Sequence, residues 1–301
     1  DIKIAPHESG VITLPDAIPT EGDVAVLLQY SAKKNDSVFF EKGHPLGFDQ
    51  LIVSRGARKE EALRKGFVVA EEDSRAVTVT GDSFRYVFSK TEGVFTSMVK
   101  NNVNIMTRPM TWNVWRAPTD NDYGANLPVR LKAWKEASYQ EPKAESFQVT
   151  PGSNATTVKV TYRFPQTEAR WNITYKIYAS GVIKVDNRFM AEGDQAPMIP
   201  RVGLRMQLPE SFTDLTYYGR GPKENYRDRR TSQFIGEYAI RDKDMYEPYV
   251  RPQENNHRTD IYWCALTDKT QRGLLLIADR TFELNASNYP LESMDSGDTI
   301  D

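Results

Sequence analysis

The chain has 301 residues, and its 39 Lys and Arg face 41 Asp and Glu for a formal net charge of −2. That balance gives no electrostatic footprint for nucleic acid or an anionic membrane, and no apolar run approaches the ~20 residues a membrane helix needs. One cysteine, Cys264, excludes an internal disulfide and a Cys/His zinc site.

Residues 1–6 lack a basic leader and an apolar core, so they do not read as a secretion signal. They read as a strand entered midway. The pattern over 1–55 predicts part of a small β-domain with too few strands to close a sandwich, leaving exposed edges. Residues 57–65 have helical composition but only a thin apolar stripe between Gly56 and Gly66, and the stretch 56–66 reads as a linker.

From residue 67 onward, alternation with period two dominates. Residues 76–80 and 84–88 flank a turn at Gly81-Asp82-Ser83, and a second turn over 90–93 feeds residues 94–99, which predicts a meander of short strands. One short helix is predicted over 128–137, with Pro128 in the first turn and Leu131 and Trp134 three apart. Residues 158–164 alternate likewise. Over 170–178, Trp171, Ile173, Tyr175 and Ile177 share one face; Ser180-Gly181 turns the chain, and 182–186 returns as a hairpin with one buried face. Strands are also predicted over 202–208 and 273–278. Cys264, inside an apolar run, reads as a small buried hydrophobe. Residues 295–301 show neither a helix stop nor a closing strand, so both ends read as cut. The expected class is all-β with a sandwich or barrel-like architecture.

Several polar groups are candidates for chemistry. Asp120-Asn121-Asp122, after Pro118 and before Gly124, can bind sugar hydroxyls or form turns on their own backbone, and the two roles are compatible. Arg116, next to Trp115, reads as a buried cation paired to a carboxylate. Arg220, Arg227, Arg229 and Arg230 surround Glu224 and Asp228, either as a salt-bridged network or as a site for an anionic sugar. His257, with Glu254 and Asp260 near it, has the residue types a mutarotase needs: one group removes the anomeric proton while another protonates the ring oxygen. Among the five tryptophans, Trp171 alternates as core, whereas Trp134 is the candidate to stack on a sugar. No Gly-x-Ser-x-Gly elbow and no phosphate loop occurs.

Four segments carry a family resemblance. Residues 114–124 (Val-Trp-Arg-Ala-Pro-Thr-Asp-Asn-Asp-Tyr-Gly) resemble the motif opening the last large domain of lac-type β-galactosidases of glycoside hydrolase family 2. Residues 218–229, from Tyr218 through Glu224, Asn225 and Asp228, are similar to the family's second motif. Residues 245–255 with His257-Arg258-Thr259-Asp260 are similar to the third, and residues 43–50 resemble the end of the preceding immunoglobulin-like domain.

The resemblance implies a partial immunoglobulin-like β-sandwich over 1–55, the linker over 56–66, and over 67–301 a large antiparallel β-supersandwich of the galactose-mutarotase-like kind, short of its C-terminus. It implies a parent enzyme that hydrolyses terminal β-D-galactosides with retention, using two Glu residues in a (β/α)₈ barrel outside this stretch. No catalytic residue is therefore expected here. Asp120, Asn121, Asp122, Tyr123, Gly124 and Trp134 would lie by the substrate. The loop from Tyr123 to Leu131 would form a rim, with Gly124 as its hinge. Trp115, Arg116, Arg220, Glu224, Asn225, Asp228, Glu254, His257 and Arg258 would be structural or touch sugar. The family's Mg²⁺ and Na⁺ sites are mostly barrel features, so no metal or cofactor is expected. The expected partners are a β-galactoside and the barrel of the same polypeptide, in a homo-oligomeric parent, without nucleic acid or membrane. The compartment stays open between cytoplasm and periplasm. A carbohydrate-binding module and a mutarotase-like domain are the alternatives.

Overall fold

A computed structural model describes residues 4–5, 7–14, 17–35, 38–56, 66–194, 197–295 and 297. The chain divides into two compact units, Asp1–Glu61 and Ala62–Asp301. Of the linker expected over 56–66, residues 57–65 lie outside the described residues, as do most of the C-terminal residues read as cut. Of the strand expected over 1–6, Ile4 and Ala5 are described and are not in a strand.

The first unit is an antiparallel ribbon of β1 (Val24–Ser31) and β2 (Pro45–Ser54). Leu27, Tyr30, Phe48, Leu51 and Ile52 remain exposed on it, because two strands cannot cover their own faces.

The second unit is all-β with antiparallel sheets. It opens with the expected meander, β3 (Val69–Glu72), β4 (Ala76–Gly81), β5 (Phe84–Ser89), β6 (Phe95–Lys100) and β7 (Val103–Asn104), which pair in that order. β8 (Arg108–Asn113) leads into three short helices, α1 (Asp120–Gly124), α2 (Leu127–Arg130) and α3 (Lys132–Tyr139). A four-stranded sheet follows from β9 (Ser146–Thr150), β10 (Ala155–Phe164), β11 (Ala169–Tyr178) and β12 (Ile183–Ala191), and β13 (Gly203–Gln207) pairs back onto β8. A second four-stranded sheet has the order β15-β14-β16-β17, from β14 (Asp214–Gly221), β15 (Phe234–Arg241), β16 (His257–Thr267) and β17 (Gly273–Asn285). The short α4 (Leu291–Met294) comes last.

The main core joins the meander to β9–β12. Period-two alternation aims Val77, Val79 and Phe88 at Ile173, Tyr175 and Ile177, all buried. Phe88 and Phe95 pack on Tyr175 with ring centroids 5.4 and 5.2 Å apart. Each such side chain contributes about 1.5–3 kcal/mol on burial. A smaller core of Leu215, Tyr217, Ile261, Cys264 and Leu284 fills the β14–β17 sheet. Cys264 is fully buried as expected, and burial pushes its thiol pKa up to about 12.

Three expectations are corrected. The helix expected over 128–137 is two helices broken at Leu131, whose φ of −112° departs from helical geometry. The rim from Tyr123 to Leu131, expected as a loop, is largely helical: it holds the end of α1, whose first turn Thr119 and Asp122 close with a capping box, and all of α2. The strand expected to end at Ala278 runs on to Asn285.

Candidate functional site

The three motif segments of the second unit meet in one buried polar network. In the first, the β8 exit delivers Trp115 and Arg116. Trp115 Nε1 donates to Asp295 Oδ2 at 3.0 Å, and the same carboxylate oxygen takes Lys135 Nζ at 2.9 Å and the Tyr139 hydroxyl. Arg116 forms a fork on Asp122, Nε to Oδ2 at 3.0 Å and Nη2 to Oδ1 at 2.6 Å. Burial works against its charge, but Asp122 outweighs this and holds the Arg116 pKa above its usual value. Asp122 Oδ2 also accepts the Thr119 N–H at 3.0 Å, so one carboxylate caps α1 and neutralises Arg116.

Above this anchor, Asp120, Asn121 and Gly124 are exposed. Asp120 faces Arg251 Nη1 at 3.4 Å, and the Arg251 guanidinium lies 5.0 Å from the centroid of the Tyr123 ring.

The second motif leaves β14 at Gly221. Gly219 and Gly221 are required there: a Cβ on Gly219 would lie 2.9 Å from Ile261 Cα, and one on Gly221 would lie 2.1 Å from the Tyr217 hydroxyl oxygen. Asn225 is fully buried and pins this motif to the third. Its Nδ2 donates to the carbonyls of Arg220 and Lys223 at 3.0 and 3.1 Å, and its Oδ1 accepts the Thr259 N–H and hydroxyl at 3.0 and 2.7 Å. Glu224 accepts the Asn256 N–H at 2.6 Å and bonds from Arg229 and the Tyr249 hydroxyl. Arg220 and Arg230 share Asp260 at 2.7 and 3.2 Å. The arginine cluster is thus a salt-bridged network, as one reading of the sequence had it. Asp228, expected within it, is exposed and takes no ion pair among the described residues.

In the third motif the Glu254 N–H donates to the Ala117 carbonyl at 3.1 Å, tying this segment to the first. The Glu254 carboxylate accepts from Arg201 and from Asn285 Nδ2, the latter at 2.7 Å. His257 is buried, its ring stacked on Tyr226 at 5.0 Å. His257 Nδ1 lies 2.7 Å from Asn285 Oδ1 and Nε2 lies 3.2 Å from Glu283 Oε2. The pairing of His257 with Glu254 or Asp260 is therefore corrected: its carboxylate partner is Glu283, and neither ring nitrogen is free for a sugar. A hydrogen bond first from His257 and a second from Arg227 hold the Glu283 carboxyl at about 2. The Tyr226 hydroxyl is buried without a hydrogen-bond partner among the described residues, and burial, then the Glu254 and Glu224 charges, push its pKa up.

Trp134, the candidate for sugar stacking, is 1% exposed and packs on Phe164 and Phe189 at 5.7 and 5.9 Å. Both neighbours belong to the main core, so it offers no free face. Sequence reasoning missed Arg201, Glu283, Asn285 and Asp295. The one available signal was the alternation of Phe282, Glu283, Leu284 and Asn285, which continues β17 and sets the two polar residues on one face.

A hollow of about 210 Å³ opens beside the Arg116–Asp122 pair, with Trp115, Leu127, Leu131 and Ile199 as apolar walls. An ion pair beside apolar walls can hydrogen-bond adjacent hydroxyls while a sugar face packs against carbon. Among the described residues no group of three or more His, Cys, Asp or Glu could hold a metal ion.

The family model described as "Beta galactosidase small chain" matches residues 80–299. The chain belongs to the β-galactosidase small-chain family. The match takes in all three motif segments of the network. A β-galactosidase of Priestia megaterium is 29% identical over 98% of this chain, and one of Staphylococcus xylosus is 27% identical over 96%. One of Lactobacillus delbrueckii subsp. bulgaricus is 28% identical over 95%. The chain spans less than a third of these relatives, 29%, 29% and 28% of their lengths respectively.

Proposed function

We propose that this chain is the non-catalytic C-terminal portion of a β-galactosidase and shapes the rim of that enzyme's active site. The parent hydrolyses terminal β-D-galactosides with retention, through a glycosyl-enzyme formed in a barrel elsewhere in the polypeptide. In this reading residues 1–55 are part of an immunoglobulin-like sandwich, 56–66 a linker and 67–301 the supersandwich. The partners are the galactoside and the barrel of the same chain. No metal or cofactor is bound by these residues.

The observation that carries the reading is the anchoring of α1. Asp122 fixes the helix from beneath through Arg116 and Thr119, while Asp120, Asn121 and Gly124 stay exposed above it. A rigid sheet presenting a short polar element is the arrangement by which loops carry binding residues. The buried glutamates Glu224 and Glu254 already accept protein donors, which suits a structural role better than proton transfer. Gly124→Pro in the full-length enzyme tests the rim assignment: kcat and KM change together, and unchanged kinetics would remove it.

The hollow beside Arg116 favours a second reading, a sugar-binding module independent of the barrel. Saturable galactose binding by this chain alone, lost on Arg116→Ala, distinguishes it from the first.

A further inference from the structure

Arg258 departs from the pattern of the other buried charges. Asp122, Glu224 and Glu254 each meet a guanidinium, whereas Arg258, 3% exposed, has no carboxylate partner among the described residues. Its donors go to uncharged acceptors: Nε to the Tyr217 hydroxyl at 3.1 Å, Nη1 to the Asn256 carbonyl at 3.0 Å and to Asn256 Oδ1, and Nη2 to the Pro222 carbonyl at 3.3 Å. A guanidinium has five N–H groups, so one on Nη2 lacks an acceptor. On the adjacent Asn256 the buried Nδ2 also has no partner among the described residues. Burying an unpaired charge is costly, and proteins ordinarily compensate it.

Arg258 lines a hollow of about 430 Å³, within the range of about 300–1,000 Å³ typical of small-molecule sites. Lys223, Arg241 and Lys243 line it too, and so do two carboxylates, Asp244 and Glu247. Lys223, Arg241, Lys243 and Asp244 are exposed, Glu247 is half-buried, and the innermost charge is the guanidinium.

We infer that this hollow binds a small anionic sugar through its phosphate or carboxylate group. The oxyanion meets Arg258 Nη2 with Lys223 and Arg241 around it, and Glu247 and Asp244 accept hydrogen bonds from the sugar hydroxyls. The two acidic groups disfavour a bare anion, and the excess of cations disfavours a neutral sugar. The inference is independent of the rim reading, since the hollow shares no lining residue with the one beside Asp122.

Isothermal titration of the full-length protein at fixed ionic strength tests it, with galactose 6-phosphate, galacturonate, inorganic phosphate and galactose as probes. Galactose 6-phosphate or galacturonate binds saturably, and which of the two is tighter identifies the charged group. Inorganic phosphate binds at least tenfold more weakly. The double variant K223E/R241E, which changes two exposed side chains, loses at least tenfold in affinity for the charged sugar. Any galactose binding, which the proposed barrel also supplies, is unchanged in K223E/R241E. Arg258→Gln abolishes binding, and a circular dichroism spectrum matching the wild type shows it folded. No binding of either charged sugar, phosphate binding equal to theirs, or full affinity in K223E/R241E would overturn the assignment.

Discussion

Arg116 and Asp122, six residues apart, face each other through two parallel hydrogen bonds at 3.0 and 2.6 Å, and the same carboxylate closes the first turn of α1 through Thr119. Asp122→Ala removes the fork and the cap together and strands a partly buried guanidinium. The expected loss is about 3 kcal/mol in urea unfolding. Asp122→Asn keeps an acceptor for the Thr119 N–H and loses less. Arg116→Lys does not substitute for Arg116, because a point charge cannot reproduce the fork.

Trp134 separates packing from sugar binding. Trp134→Ala costs about 3–5 kcal/mol through the cavity left between Phe164 and Phe189. Galactoside KM in the full-length enzyme stays unchanged under conditions where the variant is folded. A raised KM would return Trp134 to the substrate side.

Two glycines give opposite outcomes. Gly219→Ala drives a Cβ to 2.9 Å from Ile261 Cα and 3.0 Å from the Asp260 carbonyl oxygen, and backbone cannot step aside as a flexible side chain can. Thermal melting reads a loss of about 1–3 kcal/mol. At Gly124 a Cβ meets nothing within 4 Å. Gly124→Ala is tolerated and adds up to about 1 kcal/mol of helix propensity.

Glu283 gives the network a pH signature. His257 first and Arg227 second hold its carboxyl at about 2 in the folded protein, against an ordinary value of 4.5. A carboxyl lowered on folding stabilises the fold above the unfolded value and loses that contribution as pH falls through the folded one. The part of the stability gap between wild type and Glu283→Gln that this carboxylate contributes is therefore fully present just above pH 4.5 and closes as pH falls from there toward about 2. The side chain is 36% exposed, so solvent screening limits the gap to about 1 kcal/mol or less. Urea melts across that window check it, and a gap that widens toward acid would contradict the assignment.

The strands were legible where one face is buried. Trp171, Ile173, Tyr175 and Ile177 alternate because the main core selects every second residue, and that period is written into the chain. Cys264 was legible from the apolar run around it. The arginine cluster was visible as a cluster, but its partners were not: Arg227 meets Glu283, 56 residues away, and Arg220 meets Asp260, 40 residues away. Sheet topology makes those contacts and local spacing carries no trace of them. The misreading of His257 has the same origin, since Glu254 is near it in the chain while Glu283 sits beside it on the neighbouring strand. The helix at Asp120 was missed because Asp and Asn suit turns as well as caps, and only Asp122 reaching back to Thr119 decides between them.

Galactoside hydrolysis is the most direct test of the central claim, measured for residues 1–301 alone and for the full-length polypeptide. The account predicts that the full-length enzyme hydrolyses the galactoside with retention while residues 1–301 alone do not. Hydrolysis by residues 1–301, abolished by Glu224→Gln or Glu254→Gln, would contradict it and make a catalyst of a carboxylate assigned here to the scaffold.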